Sequence, residues 1–333
     1  MELPIIGAKS IGADTRTDTA AAASARPAVR EVQVDDGGDG QRLDNFLLRL
    51  LKGVPKTHVY RVIRSGEVRV NKGRAQADTR VKTGDVVRVP PVRLPDRSER
   101  PAAPAREFTV LFEDEHLLAI DKPAGVAVHG GSGVSFGVIE QLRRARPEAR
   151  FLELVHRLDK ETSGILLLAK KRSALTRLQD QFRERETEKV YAALVAGAWP
   201  AKLKVIDLAL LKGLDADGER HVRVVGAEHV EAKRSISLVR VERACGDFTL
   251  LAVTLKTGRT HQIRVHLAHH GHPIVGDPKY GDFALNRRVA KAQRFGRMFL
   301  HAQRLGFDHP ADGRRITLDS ALPSECRVLL ENL

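Results

Sequence analysis

The chain has 333 residues, 42% of them hydrophobic, with 56 Lys and Arg against 42 Asp and Glu, a net charge of +14. This length suits two domains, and the absence of any apolar run of about 18 residues argues against a membrane protein. The basic excess favours a polyanionic partner, usually nucleic acid, over generic basic solubility. Cys245 and Cys326 lie far apart without a metal or redox spacing, so we expect reduced thiols in the cytoplasm.

Residues 1–30 are rich in Ala, Ser, Thr and Arg, lack the apolar core of a signal peptide, and predict a disordered tail. In RLDNFLLRLL, residues 42–51, the apolar residues recur with helical spacing. A second helix is predicted from Pro55 to Gly66, and GEVRVNKGR and GDVVRVPPVR predict strands. Residues 41–95 carry thirteen Lys and Arg against four Asp and Glu, so most of the basic excess lies in this small segment.

A Pro-rich, charged segment, 96–106, predicts a linker between a small α+β module at 31–95 and a larger domain at 107–333. In the larger domain, the stretches ILLLAK, KVYAALVAGA and FTLLAVTLKTG predict strands, and SALTRLQDQFRER, residues 173–185, predicts a helix. Strands and helices do not alternate regularly, so the expected fold class is α+β rather than a series of βαβ units.

The stretch HRLDKETSG, residues 156–164, is hard to explain as packing alone. Its first carboxylate, Asp159, lies between Arg157 and Lys160, and the following Thr-Ser-Gly disfavours a helix. Because ILLLAK then predicts a buried strand, we expect Asp159 to lie on a tight loop that leads into this strand. We also expect the loop to hold the carboxylate in place rather than leave it freely solvated.

Two other motifs suggest different chemistry. Residues 133–137, GVSFG, fit the nucleophile elbow of a serine hydrolase, with HGGSG just before them. An elbow follows a strand, whereas these residues follow glycines, so a flexible glycine-rich loop is the better interpretation. His266 and His270 have the spacing of helical metal ligands, but no Cys, Asp or Glu that could complete a metal site follows them before Asp277. Polar and structural histidines are therefore favoured.

The stretch KTGRTHQIRVH, residues 256–266, predicts a turn followed by an extended segment. Alternation in that segment places Ile263 and Val265 on one face and Arg264 on the other. On these residues alone, Arg264 is either part of a basic surface strand or a catalytic arginine.

Taken together, these stretches resemble the RluA-type pseudouridine synthases. HRLDKETSG resembles the signature loop of that family, EKVYAALVAG its second motif and LKTGRTHQIRVH its third, and DKPAGVAVHGG and LHAQRLGFDHP also match. The basic module at 41–95 is similar to an S4 RNA-binding domain. The resemblance implies this S4-like module followed by a mixed, largely antiparallel-sheet catalytic domain. FGVIEQLRRARPEARFLELVHRLD and TGDVVRVPPVR look most like members that act on ribosomal large-subunit RNA.

The resemblance implies an enzyme that isomerises uridine in RNA to pseudouridine and needs no cofactor or metal. It implies Asp159 as the catalytic aspartate and Arg264 as its partner, since a bidentate guanidinium aims a carboxylate and favours its ionised form. It also implies that Tyr191 stacks on the target base, that Ile263 packs on the other side, and that Arg157 fills the space left by the flipped uridine.

The other substrate-binding residues that the resemblance implies are His156, Thr162, Gly164, Lys189 and Arg259. Thr162, Ser163 and Gly164 are expected to let the loop approach the substrate closely. In the S4-like module, the candidate phosphate contacts are Arg42, Lys56, Arg61, Arg64, Arg69, Lys72 and Arg74.

The expected partner is large-subunit (23S) rRNA or a pre-ribosomal particle, bound by a cytoplasmic monomer that has no membrane association. Two alternatives stay open. The first is a synthase that acts on other rRNA or tRNA sites, and the second is a non-catalytic RNA-binding ribosome-assembly factor with the same fold.

Overall fold

The computed structural model describes residues 28–51, 53–92, 103–131, 136–214 and 220–333. The chain divides into two compact units, one formed by the residues up to Val34 with Gly40–Asp96 and the other by Asp35–Asp39 with Arg97–Leu333. The division falls at the predicted linker. Most of that linker and nearly all of the predicted tail lie outside the described residues. No helix within the described ranges is long and apolar enough to cross a membrane.

The first unit is a four-stranded antiparallel sheet with two helices packed on one face. Its elements are β1 (Arg30–Gln33), α1 (Leu43–Leu50), α2 (Lys56–Arg64), β2 (Arg69–Val70), β3 (Gly73–Arg74) and β4 (Val86–Val89), and the strand order is β1-β4-β2-β3. The apolar face of α1 contributes Leu43 and Leu47 to the core, and β4 contributes Val87 and Val89. Both predicted helices are confirmed, and both predicted strand regions contain strands.

The second unit is built on an eleven-stranded sheet. Its Asp35–Asp39 segment contains a short 3-10 helix, Asp36–Gly38. Its strands are β5 (Val110–Glu113), β6 (Leu117–Lys122), β7 (Glu153–Leu154), β8 (Ser163–Ala169), β9 (Glu188–Ala196), β10 (Val205–Leu214), β11 (Arg220–Val225), β12 (Lys233–Cys245), β13 (Phe248–Leu255), β14 (Leu300–Asp308) and β15 (Arg315–Asp319). Its helices are α3 (Val138–Ala145), α4 (Arg172–Glu184), α5 (Gln262–His269), α6 (Phe283–Gln293) and α7 (Ser324–Glu331).

The strand order is β11-β10-β12-β13-β9-β14-β8-β6-β5, with β15 paired to β14 and β7 to β8. All of the pairings are antiparallel except that between β14 and β8. The predicted fold class, α+β with a largely antiparallel sheet, is therefore confirmed. The continuous apolar run in β8 follows from its central position, because Leu166 and Leu168 face one core cluster while Ile165 and Leu167 face another.

The predicted extended segment within residues 256–266 is wrong, because α5 begins at Gln262. Six consecutive residues of α5, from Gln262 to Leu267, are buried, so the helix has no solvent-facing stripe in its first two turns. A helix buried on every side loses the periodic pattern by which sequence reveals amphipathic helices. The alternation of Ile263, Arg264 and Val265 was therefore misleading.

The expectation that Gly164 lets the loop approach a substrate is also corrected. Gly164 lies in the parallel pair between β8 and β14, opposite Ala302, and has φ +108°. A β-carbon at this position would lie 2.3 Å from the carbonyl oxygen of Ala302. The glycine is therefore required by the close approach of two strands.

We predict that Gly164→Ala lowers the free energy of unfolding by about 3 kcal/mol or more, because both the backbone conformation and the backbone contact exclude a side chain. Urea denaturation would measure the change. Gly213→Ala in β10 is the control, since no atom lies within 4 Å of the added β-carbon. Equal effects of the two substitutions would contradict this account.

Candidate active site

The loop that carries Asp159 connects β7 to β8, and His156 fixes its first half. The Nε2 atom of His156 accepts a hydrogen bond from the backbone N–H of Leu167 at 3.1 Å, and its ring stacks on Phe182 with centroids 4.8 Å apart. Burial, and then the charge of Lys189, lower the pKa of His156 to about 4. The ring is therefore neutral at physiological pH and serves as an anchor for the loop.

The centre of the loop is held by the fully buried side chain of Lys122 at the end of β6. The Nζ atom of Lys122 lies 2.8 Å from the carbonyl oxygens of Pro123 and Val126 and 3.1 Å from that of Lys160, and it donates to all three when it is protonated. The backbone N–H of Gly125 donates to the same Lys160 oxygen at 2.9 Å. These bonds fix the peptide group between Lys160 and Glu161, one residue after Asp159.

The end of the loop is held at Ser163. Its hydroxyl lies 2.9 Å from Nδ1 of His301 and accepts a hydrogen bond from Nη2 of Arg297 at 2.6 Å. The Nε2 atom of His301 is 3.1 Å from the carbonyl oxygen of Ser320, which can only accept. His301 therefore carries its proton on Nε2, and the Ser163 hydroxyl donates to Nδ1. Three separate parts of the sequence thus fix one short loop.

Arg264 on α5 connects this loop to a second carboxylate. Its Nη1 lies 3.3 Å from Oδ2 of Asp159, while its Nε and Nη2 each donate to Asp277 at 2.8 Å. The expected pairing of Arg264 with Asp159 is confirmed as a single contact, and the bidentate contact is made with Asp277 instead. Burial raises the pKa of Asp277, but the hydrogen bonds and charge of Arg264 together with the backbone N–H groups of Tyr280 and Lys279 leave that pKa below its usual value.

His261 approaches Asp159 from the other side. It precedes α5 in the left-handed conformation, with φ +53°, and its Nε2 lies 3.9 Å from Oδ1 of Asp159. Its Nδ1 lies 2.8 Å from the hydroxyl of Tyr280, which accepts a hydrogen bond from the backbone N–H of Val222 at 3.0 Å. Burial lowers the pKa of His261, which favours the neutral ring.

These elements enclose a cavity of about 250 Å³. The cavity is lined by His156, Arg157, Leu158, Asp159, Thr162, Phe182, Lys189, Tyr191, Leu255, Gly258, Arg259, Thr260, His261, Gln262, Ile263, Arg264 and Leu300. Nine of the ten residues predicted for catalysis or substrate binding are therefore brought together, and Gly164 is the exception. Arg157 and Arg259 are exposed, whereas Ile263 and Arg264 are buried.

The predicted phosphate contacts of the first unit differ in their surroundings. Lys56, Arg64 and Lys72 are exposed, and they have no hydrogen-bond partner in the described part of the chain. Arg42 is instead held by the buried Asp44 through bonds of 2.8 Å and 3.2 Å, so its guanidinium already has a structural partner.

The alternative motifs give no competing centre within the described residues. The first three residues of the GVSFG stretch lie outside those residues. No group of three or more His, Cys, Asp or Glu in the described ranges is arranged to hold a metal ion. His266 lies 2.7 Å from the hydroxyl of Ser235, as a structural histidine does.

Comparison with known proteins identifies the family. The model for RNA pseudouridylate synthases matches residues 116–269, and the model for S4 domains matches residues 41–87. Proteins named ribosomal large subunit pseudouridine synthase C, from Haemophilus influenzae and Escherichia coli K12, are each 47% identical over 92% of this chain, which covers 95% and 97% of them. The chain belongs to the RNA pseudouridine synthase family.

Two solved structures match this synthase in fold. Human RNA pseudouridylate synthase domain containing 4 is 27% identical with a TM-score of 0.55, and the match covers 67% of this chain and 92% of the human one. Human RNA pseudouridylate synthase domain containing 1 is also 27% identical, with a TM-score of 0.53 and coverage of 67% and 87%.

Sequence reasoning missed several residues that position Asp159 in this synthase. Asp277 was considered only as a possible metal ligand, and His261, within the KTGRTHQIRVH stretch, was given no role. Lys122 lies in the matching DKPAG stretch but was given no role. Burial is the property that sets Lys122 and Asp277 apart, since both have 0% exposure although they are charged residues. That property is not visible in a single sequence.

We predict that the stability of this synthase rises with pH because of Lys122. Burial lowers the pKa of Lys122 to about 7, whereas it is about 10.4 in an unfolded chain. Between these values the unfolded state binds one more proton, so stability increases with pH by up to about 1.4 kcal/mol per pH unit. Urea unfolding of the wild type and Lys122→Met at pH 7, 8 and 9 should show a growing difference in favour of the wild type. A constant difference would contradict the low pKa.

We predict that Asp277→Asn lowers the free energy of unfolding by about 3 kcal/mol or more, because it leaves the buried guanidinium of Arg264 without its bidentate partner. The same variant should lose isomerase activity, since Arg264 no longer has a fixed position beside Asp159. The matched control is Asp207→Asn, which breaks an exposed bidentate contact to Arg234 and should change stability little. Thermal unfolding and pseudouridine formation would measure both effects, and an Asp277→Asn protein as stable as the control would disprove the prediction.

Proposed function

We propose that this synthase converts specific uridines of large-subunit rRNA to pseudouridine, with Asp159 as the nucleophile. The observation that carries the chemistry is a carboxylate in a small cavity, held at 3.3 Å by a buried arginine and flanked by Tyr191 and Ile263. The substrate class is supported by the relatives named ribosomal large subunit pseudouridine synthase C, which match nearly the whole chain.

The cavity supports a flipped base as the substrate form. A cavity of about 250 Å³ can hold a single base. A uridine stacked in RNA must therefore leave its helix, at a cost of a few kcal/mol. Arg157 is exposed beside the cavity and has no partner among the described residues, which suits a side chain that fills the space vacated by the base.

The walls of the cavity suit a neutral base. Burial and the charge of Asp159 raise the pKa of Tyr191, so its phenol stays protonated and its ring offers an uncharged stacking surface. His156 is neutral, and burial lowers the pKa of Lys189. The buried Thr162 hydroxyl makes no hydrogen bond within the described residues.

In the proposed reaction the bond between C1′ and N1 breaks, the uracil turns over, and C5 bonds to C1′. The proton on C5 is lost and N1 regains one, so the reaction is an isomerisation that needs no net proton. Asp159 attacks either C1′ of the ribose or the uracil ring, and both routes require an ionised carboxylate with a fixed aim. Arg264 provides that aim, because Asp277 fixes its guanidinium in turn.

Charge on the first unit supplies affinity for RNA in this proposal, through contacts that depend on salt more than on sequence. The monomeric state and the cytoplasmic location implied by the family resemblance stay predictions.

We predict that Asp159→Asn abolishes pseudouridine formation, by at least about 10⁴-fold, because the reaction loses its nucleophile while the shape of the cavity is kept. The assay restores the gene to a deletion strain and maps pseudouridine in large-subunit rRNA by chemical adducts that stop primer extension. Glu161→Gln is the matched control, since it neutralises a carboxylate of the same loop that does not line the cavity.

Specific marks that disappear on deletion and return with the wild type and Glu161→Gln, but not with Asp159→Asn, are the expected result. Marks that change only in tRNA would overturn the rRNA assignment. Marks that Asp159→Asn restores fully would overturn the catalytic role. Deletion without any change in RNA marks would favour a non-catalytic RNA-binding factor.

A further inference from the structure

His261 occupies a strained position that the packing of the fold does not explain. It directly precedes α5 in the left-handed conformation, with φ +53° and ψ +19°. Glycine adopts this conformation freely, whereas a residue with a β-carbon adopts it at an energetic cost. The His261 side chain does not cap the helix, because it forms no hydrogen bond with the backbone N–H groups of the described first turn. A strained residue without a structural bond of this kind points to a role in the adjoining site.

The hydrogen bonds of Tyr280 determine which nitrogen of the His261 ring carries the proton. The hydroxyl of Tyr280 accepts from the backbone N–H of Val222 at 3.0 Å and lies 2.8 Å from Nδ1 of His261. Burial raises the pKa of Tyr280, so the phenol keeps its proton at physiological pH. Within the described residues, Nδ1 is the acceptor that this hydroxyl reaches. Because Nδ1 accepts, the proton of the neutral ring is on Nε2.

Tyr280 is itself held by the ion pair of Arg264 and Asp277. Oδ1 of Asp277 accepts a hydrogen bond from the backbone N–H of Tyr280 at 3.0 Å. The guanidinium carbon of Arg264 lies 5.1 Å from the centre of the Tyr280 ring, over its face. The same ion pair therefore positions both the arginine beside Asp159 and the phenol that orients His261.

The two oxygens of Asp159 have different neighbours. Oδ2 lies 3.3 Å from Nη1 of Arg264, whereas Oδ1 lies 3.9 Å from Nε2 of His261, which is beyond hydrogen-bonding distance. Both residues line the cavity. A substrate atom about 3 Å from both Oδ1 and Nε2 fits this separation, as expected where a reacting group meets a nucleophile and a donor. Oδ1 and the Nε2–H group thus face the same part of a bound substrate.

We propose that His261 is a catalytic residue, whose Nε2–H donates a hydrogen bond to a carbonyl oxygen of the uracil while the bond between C1′ and N1 breaks. The electron pair of that bond goes to the uracil, and the negative charge is shared by N1 and the carbonyl oxygens. A donor placed where this charge develops stabilises the transition state. Tyr280 acts as a positioning residue, because it keeps the proton on Nε2.

A neutral donor suits this position, since a charged ring would form an ion pair with Asp159 and engage the nucleophile. His261 keeps its proton throughout the step, so no proton acceptor is required. Attack of Asp159 on the uracil ring would also place charge on a carbonyl oxygen, and the role therefore holds for both routes. This inference rests on the proposed function, because it takes uracil as the occupant of the cavity.

Three variants of the full chain separate the donor from the structure around it. The amide nitrogen of His261→Gln reaches roughly the place of Nε2, whereas that of His261→Asn reaches only the place of Nδ1, beside Tyr280. Asparagine also tolerates the left-handed backbone, and thermal melts check that both variants fold. His221→Asn is the control, because the His221 ring packs on Tyr280 with centroids 4.9 Å apart but does not line the cavity.

The measurement is the single-turnover rate of pseudouridine formation in a large-subunit rRNA transcript at saturating enzyme, with RNA affinity measured separately. We expect His261→Asn to lower the rate by about 100-fold with unchanged affinity, and His261→Gln to lower it by at most about tenfold. His221→Asn should leave the rate unchanged. Equal rates of His261→Asn and His261→Gln, or a loss of affinity that accounts for the loss of rate, would overturn the role of His261 as a donor.

A second measurement does not depend on activity. In protein labelled with nitrogen-15 in its histidines, the chemical shifts of the ring nitrogens report which of them is protonated. The signals of His261 are identified by their absence from His261→Asn. We expect the proton on Nε2 in the wild type and both tautomers in Tyr280→Phe. A proton on Nδ1 in the wild type would overturn the proposal.

The rate measurements also distinguish failure of this role from failure of the proposed function. A wild type that forms no pseudouridine would overturn the proposed function and this role with it. An active wild type together with an equally active His261→Asn would overturn the role of His261 alone.

Discussion

The buried ion pair between Arg264 and Asp277 is the constraint on which the active site depends. A guanidinium with 5% exposure is costly unless its hydrogen bonds are satisfied, and Asp277 satisfies two of them with ideal geometry. The remaining nitrogen of the guanidinium, Nη1, contacts Asp159. Arg264 therefore does not depend on Asp159 for its position. Asp159 can form and break bonds while Arg264 stays in place.

The loop that carries Asp159 is also held in place by the rest of the second unit. A loop of this length would be mobile if it were held only at its ends. Here His156, the peptide group of Lys160 and the hydroxyl of Ser163 each bond to a different part of the second unit. The entropy of ordering the loop is thus lost on folding rather than on substrate binding, which is how a fixed nucleophile gains its advantage.

Charged residues are arranged differently in the active-site cavity and on the first unit. In the cavity, burial keeps the side chains of His156 and Tyr191 uncharged beside the charged pair of Asp159 and Arg264. Most arginines and lysines among the described residues of the first unit are exposed. Long-range attraction to a polyanion is served by exposed, unpaired cations, whereas a reaction on a neutral base requires a desolvated, well-defined pocket.

Local patterns in the sequence determined the two helices and the strands β2 to β4 of the first unit, the buried strand β8, and the loop position of Asp159. The resemblance of the sequence motifs to a known family also named nine residues that line one cavity. The helical state of 262–269 was decided only by tertiary structure, since a helix buried on all sides has no periodic polar face. The same holds for Gly164, whose need for a hydrogen side chain comes from Ala302, and for Asp277 beside Arg264. These contacts are set by strand register and packing between distant segments, and a single sequence carries no local record of either.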